Sequence, residues 1–206
     1  MPRLRIKHRT ELRYSGTATE SVNEVRMLPR PGALLDVETS SVSVEPAVAL
    51  ETHIDAFGNL VTWFQIVEPH ESLVVEAEAT VVVRRPQPAE RRVSPDDEWR
   101  ALADAGYRDT MAEFLAPSTY AAPGEDVAAL AAELAVSEYG GVGHWLVDLS
   151  HAVAGAIAYE PGATSVETPA SEVARLRRGV CQDLAHVSSA LCRLRGVPAR
   201  YVSGWL

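Results

Sequence analysis

Arg175-Leu176-Arg177-Arg178-Gly179-Val180-Cys181-Gln182-Asp183-Leu184-Ala185-His186 sets a cysteine just past a glycine, behind three arginines. An apolar run follows to Leu194 and stops at Gly196-Val197-Pro198. Gly179 lets the backbone turn tightly. The run beyond it has helical period and ends at a C-terminal glycine. A thiol at such a helix start meets the positive end of the dipole, which favours thiolate, and Arg175, Arg177 and Arg178 are near enough in sequence to add to the effect. Cys181 is therefore the candidate nucleophile. The competing reading is a small buried hydrophobe, the usual place of an isolated cysteine, with the arginines on a solvated face.

A nucleophilic thiol needs a base, normally His, and a group to orient it. His186 is nearest in sequence, but five residues of helix turn it ~140° away from Cys181. Asp183 lies ~200° away, where it can accept from backbone N–H groups of the first turn. Cys192 falls mid-helix between Leu191 and Arg193 and reads as packing. Eleven residues of helix separate the two cysteines by ~16 Å. A disulfide needs Cα atoms within ~7 Å, so both are expected as free thiols in a reducing compartment. His144 and His151 share one helix face at a spacing of seven, which is not a metal-pair spacing. His8, His53 and His70 fall among strands. No CxxC or other zinc spacing occurs, and neither metal nor organic cofactor is expected.

Outward from this stretch the period changes twice. Residues 124–139, 145–159 and 168–178 read as helices. Ser94-Pro95-Asp96-Asp97-Glu98 is an N-cap, a proline at the first helical position and first-turn acids. Short helices should run to about 115, and a final strand should occupy 199–206. Before about residue 85 the pattern is short alternating runs with Pro/Gly punctuation: 3–14, 20–28, 37–45, 51–55, 60–67 and 73–84. Ser15-Gly16 reads as a turn. Asp55-Ala56-Phe57-Gly58-Asn59 reads as a hairpin turn with Gly and Asn available for positive φ. The expected fold class is α+β. An N-terminal antiparallel β-sandwich (1–85) leads through a linker with short helices (86–123) into a mostly helical domain (124–206).

The composition is 47% hydrophobic and 23% charged, enough for a sizeable core. The net charge of −9 makes nucleic acid a poor partner. Basic groups gather at 173–206, where six arginines face Asp183 alone, whereas 93–172 holds two arginines against 14 acids. No apolar run approaches the ~20 residues of a membrane span. The basic N-terminus lacks an apolar leader segment, so the expected location is cytoplasmic.

Arg178-Gly179-Val180-Cys181-Gln182-Asp183-Leu184-Ala185-His186, with Arg195-Gly196-Val197-Pro198-Ala199-Arg200-Tyr201-Val202-Ser203-Gly204, resembles the nucleophile region of bacterial transglutaminase-like proteins. Tyr159-Glu160-Pro161-Gly162-Ala163-Thr164 resembles the lead-in of the same family. Asn23-Glu24-Val25-Arg26-Met27-Leu28-Pro29-Arg30 and Asp55–Asn59 resemble the N-terminal region that accompanies its core. The resemblance implies a papain-like core with a Cys-His-Asp triad. Cys181 would be the catalytic nucleophile, attacking an amide or ester carbonyl to give a thioester that water hydrolyses or an amine resolves. Its backbone N–H would be an oxyanion donor. The implied substrate is protein or peptide.

Nothing in 1–206 matches the family's His-Ala-Trp-type segment or its later Asp. The expectation is therefore a truncated, C-terminally incomplete core with impaired chemistry, open to self-association or to a partner through its sheet edge. The alternative is a non-catalytic interaction protein using the β-domain or that edge.

Overall fold

A computed structural model describes residues 1–84 and 93–204, and the chain forms two compact units, Met1–Ala89 and Glu90–Leu206. In the first, six strands follow in order: β1 (Arg3–Ala18), β2 (Ser21–Leu28), β3 (Leu35–Glu45), β4 (Glu51–Ile54), β5 (Leu60–Ile66) and β6 (His70–Val83). They form two antiparallel three-stranded sheets, β1-β6-β3 and β2-β5-β4.

Strict alternation along β6 makes the first sheet two-faced. Leu73, Val75, Ala77, Ala79 and Val81 are buried. Glu76 and Glu78 point to the other side, where Lys7 Nζ meets them at 2.6 and 3.0 Å. From the second sheet, Phe64 and Ile66 close over Leu73 and Val75 to make the core. β1 does not turn at Ser15-Gly16. It continues to Ala18, with a register irregularity between Arg13 and Ala18 that takes up the extra residues.

The β4–β5 turn is built on one side chain. Asp55 Oδ1 accepts from Phe57 N at 3.0 Å and Asn59 N at 2.8 Å, and Oδ2 accepts from Asn59 Nδ2 at 2.9 Å. Gly58 takes φ +80°, a conformation that glycine adopts without strain. The Asn59 amide, with the other donors, lowers the Asp55 carboxyl to about 2. A depressed carboxyl stabilises the fold above its unfolded value of 3.8, and that contribution is lost as pH falls through about 2. Asp55→Ala should lower the melting temperature at pH 7 by a few degrees. The gap between mutant and wild type should close between pH 4 and 2, followed by circular dichroism. An unchanged gap across that range would refute the assignment.

The second unit is helical: α1 (Pro95–Ala103), α2 (Ala105–Thr110), α3 (Ala112–Leu115), α4 (Glu125–Leu134), α5 (Val142–Ala156), α6 (Ala170–Leu176) and α7 (Cys181–Arg195). Two short strands, β7 (Ala158–Tyr159) and β8 (Arg178–Gly179), pair in parallel. Ser94 caps α1 by accepting from Asp97 N at 3.2 Å.

The core gathers Val127 and Leu130 of α4, Trp145, Leu149 and Val153 of α5, and Val173 of α6 around Val187, Ala190 and Leu191 of α7. Trp99 and Leu102 of α1 pack against the same core. No helix among the described residues is long and apolar enough to cross a membrane.

Three differences from the sequence reading have physical causes. α4 ends at Leu134 rather than near 139, because Ala135 turns left-handed at φ 44°. Gly140-Gly141 serves instead as the entry to α5. Gly141 takes φ +86°, and a Cβ there would lie 2.3 Å from Glu98 Oε2, which accepts from Val142 N at 2.8 Å. Finally, 199–204 form no strand: they run as irregular chain. The rest of that expected strand, 205–206, lies outside the described residues. A strand is stable only against a partner strand; here Ala199 N donates instead to Phe114 O at 3.1 Å, and Ala199 O accepts from the Arg193 guanidinium at 3.0 Å.

Candidate active site

Cys181 is the first residue of α7 and is exposed. The elements before it determine its position. α6 ends at Arg177, left-handed at φ 56°. The chain then passes through β8, held by Glu160 N to Gly179 O at 2.9 Å and Ala158 N to Arg177 O at 2.9 Å. Val180 is extended (φ −117°, ψ −177°), and α7 begins. The N–H groups of the first helical turn, that of Cys181 included, have no intrahelical acceptor. The thiol and these donors therefore share one end of the helix.

The turn is locked by Asp183, which is fully buried. Its Oδ2 accepts from Val180 N at 2.7 Å and from Thr164 Oγ1 at 2.5 Å. One oxygen thus joins the entry to α7, the helix itself and the 160–168 loop. Gly179 is required by this oxygen, since a Cβ there would lie 2.7 Å from Oδ2. Gln182 Nε2 also reaches the loop, at Val166 O, 3.2 Å. The expected role of Asp183 as an acceptor at the helix start is what the structure shows. Thr164, its partner, was not legible in the sequence: it lies 19 residues away in a loop without periodicity.

The three arginines do not gather on the thiol. Arg175 meets Glu172 at 4.0 Å, and Arg178 meets Glu160 at 3.6 Å. Arg177 forks onto Glu133 at 3.1 and 2.5 Å. Each positive charge is matched by its own carboxylate, and the expected combined field at Cys181 is not assembled. Glu172 is a local partner within α6, whereas the acids on Arg177 and Arg178 come from α4 and the loop after β7, which nearness in sequence does not reveal.

His186 is buried. Its ring stacks on Tyr120 with centroids 5.7 Å apart and lies against Tyr201 at 5.2 Å. Burial holds the imidazole below its ordinary value, opposed by the charge of Asp183. Among the described residues, Cys181 Sγ makes no hydrogen bond to a histidine or to any other group. His144 meets Asp148 at 3.6 Å on the exposed side of α5. His70, in the β-unit, bridges Ser21 Oγ at 3.1 Å and Glu68 O at 2.8 Å. No group of three or more His, Cys, Asp or Glu suited to a metal ion occurs among the described residues.

Cys192, by contrast, is buried in the α7 core, and burial pushes its thiol up to about 11. The neighbouring Arg193 has a role that was not foreseen. Its guanidinium donates to Phe114 O, Ser118 Oγ, Ala121 O and Ala199 O at 3.3, 2.8, 2.9 and 3.0 Å. It ties the 114–121 segment and the chain after α7 onto the nucleophile helix. A charged residue inside an otherwise apolar helix run was the one sign of this.

Comparison with known proteins agrees with this architecture. Residues 4–82 match the bacterial transglutaminase-like N-terminal region, and residues 143–206 match the transglutaminase-like superfamily. An uncharacterized protein of Mycobacterium leprae is 32% identical over 100% of this chain, which spans 72% of that protein. Another, of Mycobacterium bovis, is 32% identical over 99% of this chain and 66% of its own length. A solved structure from Cytophaga hutchinsonii, described as that of a candidate cysteine protease, superposes with a TM-score of 0.70 at 20% identity. That superposition covers 95% of this chain and 64% of the other, and it speaks for the fold. The chain thus spans roughly two thirds of the length of these proteins. With an N-terminal β-sandwich, a helical core and a cysteine at the start of α7, the chain belongs to the bacterial transglutaminase-like family.

Proposed function

We propose that this protein is a cysteine-dependent acyl-transfer enzyme in which Cys181 attacks an amide or peptide carbonyl and holds the acyl group as a thioester. The observation that carries the reading is the position of Cys181: an exposed thiol at the first residue of a 15-residue helix, beside unpaired N–H groups. In the attack, the sulfur–carbon bond forms as the carbonyl π electrons move onto oxygen. The Cys181 N–H is the nearest donor for that oxyanion. The proton lost by the Cys181 thiol passes through solvent to the nitrogen, and collapse breaks the carbon–nitrogen bond and releases the neutral amine. Water then cleaves the thioester, and hydrolysis is favoured over transfer to a second amine.

The general base is not His186, whose ring is packed between Tyr120 and Tyr201. No segment of residues 1–206 matches the family's His-Ala-Trp-type segment or its later Asp, and no residue among them is assigned as the base. An activated ester tests the thiol and its oxyanion donor directly, because its leaving group departs without a general acid.

Incubation with p-nitrophenyl acetate should place an acetyl group on the Cys181 peptide, labile to hydroxylamine and absent in Cys181→Ala. Mass spectrometry of the digested protein reads this directly. Acetylation elsewhere with Cys181 unmodified would overturn the proposal.

A further inference from the structure

We infer that Asp183 is the positioning residue of the nucleophile turn, aiming the Cys181 N–H at the oxyanion through its clamp on Val180 and Thr164. The inference rests on the reading of Cys181 as nucleophile and concerns a residue that does not touch the reacting atoms.

Four observations meet at this carboxylate. It is fully buried. Its Oδ2 takes two short hydrogen bonds, from Val180 N and Thr164 Oγ1. Its Oδ1 is buried with no hydrogen-bond partner among the described residues. Gly179 leaves no room for any side chain against it.

A buried carboxylate with one oxygen unsatisfied is a costly way to hold a helix start. A surface Ser or Thr cap would serve helix stability as well. What the arrangement supplies is geometry. The Asp183 bond to Val180 N–H fixes the Gly179–Val180 peptide plane; Val180 O accepts from Leu184 N at 3.1 Å, so the next peptide plane, which carries the Cys181 N–H, is held from both sides of Val180. Thr164 anchors the same oxygen to the 160–168 loop, so the clamp cannot swing with the helix end alone.

Two reactions of the same sulfur separate aim from reactivity. Alkylation by iodoacetamide forms a sulfur–carbon bond and expels iodide without any oxyanion. Acylation by p-nitrophenyl acetate forms a sulfur–carbonyl bond, passes through an oxyanion and expels p-nitrophenolate. Their ratio at Cys181 reports how well the oxyanion donor is placed.

Asp183→Ala should lower the acylation-to-alkylation ratio by roughly tenfold or more, and Thr164→Val by about threefold. Asp183→Asn, whose amide oxygen can replace Oδ2, should stay within about threefold of wild type. The Val180 amide proton should resonate downfield in wild type and Asp183→Asn and move upfield in Asp183→Ala. If Asp183→Ala does not fold, Thr164→Val and Asp183→Asn carry the test.

An unchanged ratio in folded Asp183→Ala or Thr164→Val overturns the inference. So does an Asp183→Asn ratio as low as that of Asp183→Ala, which would make charge the cause. A wild type that is not acylated at Cys181 overturns the nucleophile reading itself. The Val180 resonance still decides whether the clamp exists.

Discussion

Iodoacetamide at pH 8 should alkylate Cys181 at least about a hundredfold faster than Cys192. Cys181 is exposed at the start of α7, whereas Cys192 is 6% exposed in the core. Burial pushes the Cys192 thiol up to about 11. Three units below that value, roughly one thiol in a thousand is thiolate, the form that reacts. The small alkylating agent must also find a sulfur enclosed by the helices. The two effects multiply, so Cys192 should label only as the unit opens or as pH approaches 11.

The raised value has a linked consequence for stability. The unfolded thiol ionises near 9 and the folded one near 11. The contribution of Cys192 is therefore intact below about pH 9 and falls away as pH rises from 9 towards 11. Peptide mapping after timed quenching measures both rates. Equal labelling of the two cysteines in folded protein would show that α7 does not pack as described.

Arg193→Met should destabilise the helical unit by about 2–4 kcal/mol, the loss expected when a charged donor leaves several partly buried acceptors unpaired. The guanidinium satisfies three backbone carbonyls and one hydroxyl, drawn from Phe114, Ser118, Ala121 and Ala199. Methionine fills the stem's volume but offers no donors. Arg193→Lys should recover only part of the loss, because an ammonium cannot fork across acceptors on two sides.

Urea unfolding followed by tryptophan fluorescence suits the measurement. Trp99 and Trp145 meet edge-to-face at 5.8 Å within this unit and report its opening. The midpoint should fall with little change in slope. A loss below about 0.5 kcal/mol would mean that water replaces the guanidinium at these carbonyls without cost.

Much of the architecture was legible because it repeats at short range. The alternation of Leu73, Val75, Ala77, Ala79 and Val81 gives β6 and its two faces. Ser94-Pro95 with the following acids gives the start of α1. Gly179 and Gly196 bracket α7 and place Cys181 at its first turn. Helical phase alone removed His186 from the thiol, and the aromatic packing around that ring gives the reason it stays away. Each of these readings depends on residues within a few positions of one another, where backbone geometry couples them directly.

Other features depended on residues that meet only after folding. Nothing near Ser15-Gly16 shows that β1 continues past it; pairing with β6 decides that. Arg175, Arg177 and Arg178 looked like one basic cluster beside the thiol, yet each is matched by a carboxylate, two of them from other segments of the fold. Residues 199–204 have strand-like composition and no strand, since pairing requires a neighbour that composition does not supply.

By itself, then, the sequence determined the periodicities, the caps and the cysteine at a helix start, all consequences of local backbone geometry. Only the tertiary structure decided what surrounds that cysteine. It seated Asp183 under the turn, brought Thr164 to it across 19 residues, and matched Arg177 and Arg178 with acids from other segments. Hydrogen bonds and ion pairs act over a few ångströms of space, and distance along the chain does not report that separation.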